Sequence, residues 1–441
     1  MDIRNLKKIV LFSIFLFNFC YSQSFLFNQA ITDSLPQINA NSIQVADANG
    51  DGLFDLFISG YDERRFGLYF DVLVGNNSGL LSPLLNLEII TYPDTIGEFI
   101  GGLGNIALSD PNRDGNIDAY VNGSAESFLL TNGANGYEVN LGLENLSLTY
   151  SHGSWGDIDL NGTPDLFVMG VDEYQDVILN RLYLNNGDQL TEDPSTIFPS
   201  LFNGSSAWGD YDNDGDPDLI ISGQTASSAS SVTRFFMNEP TGRLIEDTNQ
   251  DLAGLKAGSF KFADLDQDGD QDLIMSGWNI LASSNITKIY KNEPLGTFTE
   301  IETGINFSVS YGTIEVSDFD LDGDLDIVIS GADSVSNFAM DVHSLSAQLF
   351  RNNSDFSFTS IQTFPDVRIA NFMDINLDLK PDLILNGTTE IEEMNSSFSH
   401  VYLNNSSNSS SPPNAPESLT AFAVSNRAIF TWGAGSDATD I

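Results

Sequence analysis

One acidic nonapeptide recurs seven times along the chain, and no other feature narrows the possible folds as much. The copies begin at Asp47 (DANGDGLFD), Asp110 (DPNRDGNID), Asp157 (DIDLNGTPD), Asp210 (DYDNDGDPD), Asp264 (DLDQDGDQD), Asp318 (DFDLDGDLD) and Asp374 (DINLDLKPD), at spacings of 63, 47, 53, 54, 54 and 56 residues. A period of this length means that one supersecondary unit is repeated and stacked on its neighbours. Each copy runs into a short apolar segment, such as DLFVMG or DLIISG. Runs of this kind, rich in branched side chains and bounded by turn residues, read as strands. A further strand ends near Asn, as in RLYLNN and KIYKNE, and a turn and a third strand follow, as in GTFTEI. A fourth, such as SSAWGD or SFKFAD, leads into the next acidic loop.

Four strands per ~54 residues is the size of a propeller blade. The expectation is therefore an all-β, seven-bladed β-propeller with its acidic loops in register. The residue two before each loop supports it: Val45, Leu108, Trp155, Trp208, Phe262, Val316 and Phe372 are all apolar. Trp155 and Trp208 read as core between blades rather than as a ligand platform. The seventh copy stops after two strands at HVYLNN (400–405), while Phe25-Leu26-Phe27-Asn28 stands before the first loop where a final strand should be. Residues around 24–30 are expected to complete the seventh blade and cover its edge.

Charge sets what the chain can meet. It has 62 Asp+Glu against 17 Lys+Arg, a formal net charge of −45. Nucleic-acid binding needs clustered Lys/Arg and is excluded as an expectation; docking on an anionic membrane surface is disfavoured for the same reason. The chain is still 41% hydrophobic, with 31 Phe in 441 residues, so it can bury a core. So much acid asks for counter-cations.

The loops show where these would sit. Positions 1, 3, 5 and 9 are Asp or Asn in every copy, and position 6 is Gly in six. Alternate side chains in a tight loop converge on one centre, hard oxygen donors suit Ca²⁺, and Gly allows the sharp turn. Position 7 would add a backbone carbonyl. An EF-hand would need Glu at position 12, where this chain has Ile58, Val121, Val168, Ile221, Met275, Ile329 and Leu385, so EF-hands are ruled out.

The D-x-[DN]-x-[DN]-G-x-x-D loop with its DLxxSG and xLYxN strands resembles the FG-GAP/VCBS repeats, over roughly residues 24–405. That resemblance implies an integrin-alpha-like, seven-bladed propeller with Ca²⁺ in the hairpin loop between the first two strands of a blade. The ligands it implies are Asp47, Asn49, Asp51 and Asp55 in the first copy and Asp110, Asn112, Asp114 and Asp118 in the second. Asp157, Asp159, Asn161 and Asp165 follow in the third, then Asp210, Asp212, Asp214 and Asp218 in the fourth. The fifth has Asp264, Asp266, Asp268 and Asp272, and the sixth Asp318, Asp320, Asp322 and Asp326. The seventh has Asp374, Asn376, Asp378 and Asp382, and it departs most, with Leu379 for Gly and Lys380 at position 7. It is expected to be the weakest site, and the fourth to sixth loops, each with four carboxylates, the strongest.

The ends differ in composition. Arg4, Lys7 and Lys8 precede an apolar run from Ile9 to Phe19, and Cys20-Tyr21-Ser22 offers small residues for cleavage before Gln23. Residues 1–22 thus read as a secretory signal peptide; a membrane anchor would want a run of roughly 20 apolar residues. Removal of this segment takes the only cysteine with it. The propeller is assigned to 23–405. Residues 406–418 (SSNSSSPPNAPES) read as an exposed linker. Residues 419–441 alternate apolar and polar residues and resemble the first strands of a fibronectin type III domain, truncated.

Chemistry beyond metal binding is hard to find. The histidines are His152, His343 and His400, and GxSxG, HExxH and P-loop motifs are missing. The expectation is a secreted or cell-surface, monomeric propeller, with up to seven Ca²⁺, that recognises an extracellular protein or glycan. The alternative is the propeller of a secreted polysaccharide-degrading lyase or hydrolase. Tyr61 and Trp278, which follow the second-strand Gly of their blades, are the candidates for stacking on sugar.

Overall fold

The computed structural model describes residues 27–29, residues 35–406 apart from 90–102 and several shorter loops, and the segments 417–424 and 427–433. Residues 1–22, read above as a signal peptide, lie outside the described residues.

Seven antiparallel sheets form the seven expected blades. The third is typical: its strands Leu148–Gly156, Asp165–Asp172, Val177–Asn185 and Leu190–Asp193 pair in chain order. In every blade the acidic loop is the hairpin connection between the first and second strands. The second strands are apolar along most of their length because neighbouring blades cover both faces, and Asp165–Asp172 is buried at every position but one. In the first blade two short strands, Ser82–Pro83 and Glu88–Ile89, share the outer edge of Gly67–Val74.

The first strand of each blade touches its counterparts in the two adjacent blades, and these contacts run from Asn39–Ala46 round to Val367–Met373 and back. The inner strands therefore surround a central axis. The core is divided among the clefts between blades. Tyr120 of the second blade packs with Leu148, Leu166 and Tyr183 of the third; Ile38 and Leu56 of the first pack with Ile369 and Ile384 of the seventh. Burying one such side chain contributes about 1.5–3 kcal/mol.

Trp155 and Trp208 are inter-blade core, as expected. Trp155 donates its Nε1–H to Ala107 O of the preceding blade at 3.1 Å. The Trp208 ring lies against Gly156, where a Cβ would come within 2.5 Å of it. Gly156 is therefore required by its neighbour's indole rather than by its own turn.

The ring closes with the N-terminal strand. Phe27–Gln29 pairs antiparallel with Met394–Asn404, with Phe27 opposite Asn404 and Gln29 opposite Tyr402. The seventh blade thus takes its outer strand from the other end of the chain. Across the same seam Asn386 donates to Ile38 O at 2.9 Å and accepts from Ala40 N at 3.1 Å. Beyond the propeller, Glu417–Val424 and Arg427–Gly433 form a separate two-stranded hairpin.

Candidate metal centre

The seven loops share one backbone. Residues at positions 4 and 6 both have positive φ: Asn213 and Gly215 at 58° and 94°, Gln267 and Gly269 at 60° and 93°. The Asp at position 1 holds this shape. In the fourth loop Asp210 Oδ1 accepts from Asp214 N at 3.1 Å and Oδ2 from Gly215 N at 3.0 Å. The same pair recurs at Asp47, Asp110, Asp264, Asp318 and Asp374. At position 5 the side chain accepts the N–H of position 7, as Asp322 does from Asp324 at 3.1 Å.

The Asp at position 9 joins three strands. Asp218 Oδ2 accepts from Tyr211 N at the start of its loop, and Oδ1 from Asn238 N at the end of the third strand, at 3.1 and 2.8 Å. Position-4 side chains tie neighbouring loops together. Arg113 donates to Gly162 O at 2.6 Å, and Gln267 to Gly323 O at 2.7 Å.

This arrangement brings carboxylates together. In four loops, oxygens from positions 1, 3 and 9 lie within 4.8 Å of one another: Asp157, Asp159 and Asp165; Asp210, Asp212 and Asp218; Asp264, Asp266 and Asp272; Asp318, Asp320 and Asp326. These triads could hold a metal ion. The first, second and seventh loops have Asn49, Asn112 and Asn376 at position 3 and so offer an amide oxygen there. Among the described residues, buried carboxylate oxygens without a hydrogen-bond partner include Asp118 Oδ2, Asp157 Oδ1, Asp216 Oδ1 and Asp266 Oδ1, each in a different loop. Anionic oxygens are costly to bury unpaired, and a cation between them removes that cost, so the residues present fit a hard divalent metal.

Burial sets the electrostatics at position 9. It raises Asp118 to about 7 and both Asp218 and Asp326 to about 8, against the backbone N–H groups they accept and with help from neighbouring carboxylates. It raises Asp165, Asp272 and Asp382 to about 6 in the same way. Folded, each of these groups holds its proton to higher pH than it does unfolded. Each therefore contributes stability to the metal-free protein that is complete below the ordinary Asp value of about 4 and is lost as pH rises through about 6 to 8. His152 has the opposite sign: burial lowers it to about 4, so its contribution falls away only as pH drops below about 6.5. In EDTA, the melting temperature should therefore fall by several degrees between about pH 6.5 and 8.5, where His152 is silent. Added Ca²⁺ should flatten the slope. A melting temperature that rises over that interval in EDTA would contradict the raised values.

The seventh loop keeps the common shape. Leu379 adopts φ 65° and its N–H reaches Asp374 Oδ2 at 2.9 Å, as Gly does elsewhere. Lys380 turns away and donates to Ser406 O. The left-handed conformation costs a non-Gly residue roughly 1–2 kcal/mol. Leu379→Gly should recover about 1 kcal/mol, read as a higher denaturant midpoint at unchanged slope.

A tethered cation complicates the fifth loop. Lys291, on the third strand, donates to Asp266 and also to Asp268, the latter at 2.7 Å. Burial works against its charge, but the two carboxylates outweigh it and hold the ammonium above the usual lysine range. The fourth blade has Met237 at this place in the strand. Carboxylate count alone ranked the two loops as equals; Lys291 separates them. Lys291→Met should strengthen divalent-ion binding at the fifth loop roughly tenfold, the worth of one charge-assisted hydrogen bond. Anomalous-scattering occupancies at limiting Ca²⁺ would measure it, and no change would mean that the ammonium swings aside freely.

A family of side chains escaped the sequence reading altogether. Asn132, Asn185, Asn238, Asn292, Asn352 and Asn404 each end a third strand and donate an amide N–H to the position-2 carbonyl of the preceding blade's loop, at 2.5–2.8 Å. They latch each of the second to seventh blades to the loop before it. The recurring Asn was visible as a strand end, but its partner lies 74–87 residues away. The first blade has Gly75 there, which leaves a narrow cleft lined by Phe54, Met373 and Ile375 at the closing seam.

The remaining candidates are scattered. His152 is half-buried on an inner strand, 3.0 Å from Ser206 Oγ. The His400 ring packs at a tilt against Phe398 in the seventh blade. Tyr61 and Trp278 are half-buried at the far ends of second strands, away from the loops and on separate blades. Among the described residues no helix is long and apolar enough to cross a membrane.

Sequence-family comparison agrees with the repeat. A model described as FG-GAP-like repeat matches residues 157–221 and 264–329, so the chain carries FG-GAP-like repeats in these two stretches of a seven-bladed β-propeller. The expected relation of the C-terminal hairpin to fibronectin type III domains finds no support from this match. No curated protein matches the chain. Among solved structures it is similar to a fucose-specific lectin from Aleuria aurantia, with TM-score 0.42 and 11% identity over 75% of this chain and 96% of that one. It is also similar to AofleA from Arthrobotrys oligospora, with TM-score 0.39 and 12% identity over 77% and 92%. A GH43 β-1,3-galactosidase with galactodeoxynojirimycin follows, with TM-score 0.36 and 11% identity over 60% and 94%. Likeness at this level says nothing of ligand or activity.

Proposed function

We propose that this chain is a secreted or cell-surface propeller, stabilised by Ca²⁺, that recognises an extracellular protein or glycan. The observation that carries the calcium reading is the set of four triads whose carboxylate oxygens lie within 4.8 Å of one another on preshaped loops. Ca²⁺ suits them better than Mg²⁺, because it accepts irregular, carboxylate-rich oxygen shells and dehydrates readily. Residues 1–22 supply the export signal in this reading. The recognition role is supported by what the polar groups do. The loop carboxylates are committed to backbone N–H groups and to one another, and His152 is a neutral partner of Ser206. Neither arrangement resembles a general acid–base pair.

Metal analysis after dialysis against Ca²⁺ should find at least four ions per chain. A value near zero would sink the calcium reading. A glycan array on the calcium-loaded protein, beside capture of extracellular proteins, tests recognition. Release of reducing ends or unsaturated products from a polysaccharide would favour the enzyme alternative instead.

A further inference from the structure

The face opposite the metal loops carries a second set of repeated features. Each inner strand loses register with its neighbour shortly after it begins, at Ala40/Ser42, Leu103/Ile106, Thr149/His152, Phe202/Ser205, Lys256/Ser259 and Val367/Ile369. The sixth blade makes the same step between the Ser310–Ala332 bridge and Ile314. Seven bulges thus ring the axis. Bulges re-aim side chains and are common beside binding sites. Tyr150, Asn203, Ala257 and Tyr311 hold positive φ there, which non-Gly residues adopt only when the surroundings impose it.

Six residues before the first Asp of each loop, four blades have glycine: Gly104, Gly204, Gly258 and Gly312. A Cβ at Gly204 or Gly312 would come within 1.8 Å of a backbone carbonyl. The seventh blade has Arg368 at this place. Its Nε donates to Tyr311 O at 3.1 Å and its Nη1 reaches Asn41 Oδ1 at 3.3 Å. Tyr311 in turn takes a hydrogen bond from Asn203 on its hydroxyl at 3.2 Å. The second terminal nitrogen, Nη2, has no acceptor among the described residues, and Arg368 forms no ion pair there. Asp366, two residues away, is exposed and does not pair with it. Burial lowers the guanidinium from its usual range, opposed only by Tyr311. Lys256, at the fifth bulge, is lowered by burial too. Among the described residues, this half-buried guanidinium at the axis has polar partners but no carboxylate.

We propose that the bulge ring is a binding site for an acidic saccharide, with the ligand's carboxylate on Arg368 and its hydroxyls on the Asn41, Asn203 and Tyr311 side chains. A planar guanidinium with free N–H groups is shaped for a carboxylate. The flanking amides and phenol hydroxyl suit sugar hydroxyls, whereas an acidic peptide would want more positive charge than one arginine and one nearby lysine. The inference rests on the recognition reading but uses none of the metal loops.

The test titrates the calcium-loaded full chain with a glucuronate-containing disaccharide, its methyl ester and hexaglutamate. The acid should bind at least about tenfold more tightly than the ester. Arg368→Gln should abolish that preference, and Arg368→Lys should restore part of it. Asn203→Ala, which leaves the guanidinium in place, should weaken both sugar ligands. Equal binding of acid and ester by the unaltered protein would overturn the proposal without recourse to any variant. So would failure of the acid to bind, or tighter binding of hexaglutamate. A purely structural Arg368 would lower the melting temperature on substitution and leave the chain indifferent to esterification. Failure here, with another ligand captured on the array or from extracellular proteins, removes this site and leaves the recognition reading standing; failure of every ligand removes both.

Discussion

EDTA should lower the melting temperature of this protein by more than about 10 °C, and Ca²⁺ should restore it more fully than Mg²⁺. Each triad packs carboxylates from three loop positions within 4.8 Å, and metal-free they repel one another or must take up protons. An ion that binds only the folded state stabilises it by about 2.7 kcal/mol at a hundredfold excess over its dissociation constant. Four such sites supply on the order of 10 kcal/mol, and for chains of 150–250 residues about 1 kcal/mol moves the midpoint by roughly 2–4 °C. The effect should pass from blade to blade except across the closing seam, because position-9 carboxylates hold the third strand of their own blade and the Asn latches hold the next one. Asp218→Asn is the matching substitution. It keeps one acceptor, places an amide N–H against backbone donors, and should remove most of the calcium response of the fourth blade. An unchanged melting curve in EDTA would refute the structural role of the metal.

Deleting residues 23–31 should be nearly as damaging. The seventh blade would lose the strand Phe27–Gln29, and Met394–Asn404 would present an unpaired edge. Unpaired edges template association between chains, so aggregation is expected along with a much earlier melt. Deleting 412–441 removes the C-terminal hairpin, which among the described residues pairs only with itself, and should leave the propeller's melting temperature unchanged. Size-exclusion chromatography and calorimetry on the two truncations give the comparison. Equal stability would mean that the ring is held shut without the N-terminal strand, by the Asn386 bonds and the apolar seam alone.

Both predictions rest on features that are legible in the sequence. Everything local to the repeat was legible: nine contiguous residues carry the loop, the apolar run after it carries the second strand, and their seven-fold recurrence carries the blade count. The closing strand was also legible, because a missing strand at one end and a spare one at the other leave a single arrangement. Leu379 stands out in the sequence as a misfit, yet its loop keeps the common shape. Its N–H still reaches Asp374.

What the sequence determined by itself was therefore the unit, its number and the clustering of carboxylates that could hold a metal ion, since these depend on neighbours along the chain. Only the tertiary structure decided how the units are joined and modified. The Asn latches bridge 74 residues or more, Lys291 reaches back 23 and 25 residues to its loop, and Arg368 meets Asn41 across 327. A side chain's partner at such separations is set by ring closure and by the direction in which a bulge aims it. Neither leaves a trace in local spacing, because the partner is brought in by the closure of the ring and not by neighbours along the chain.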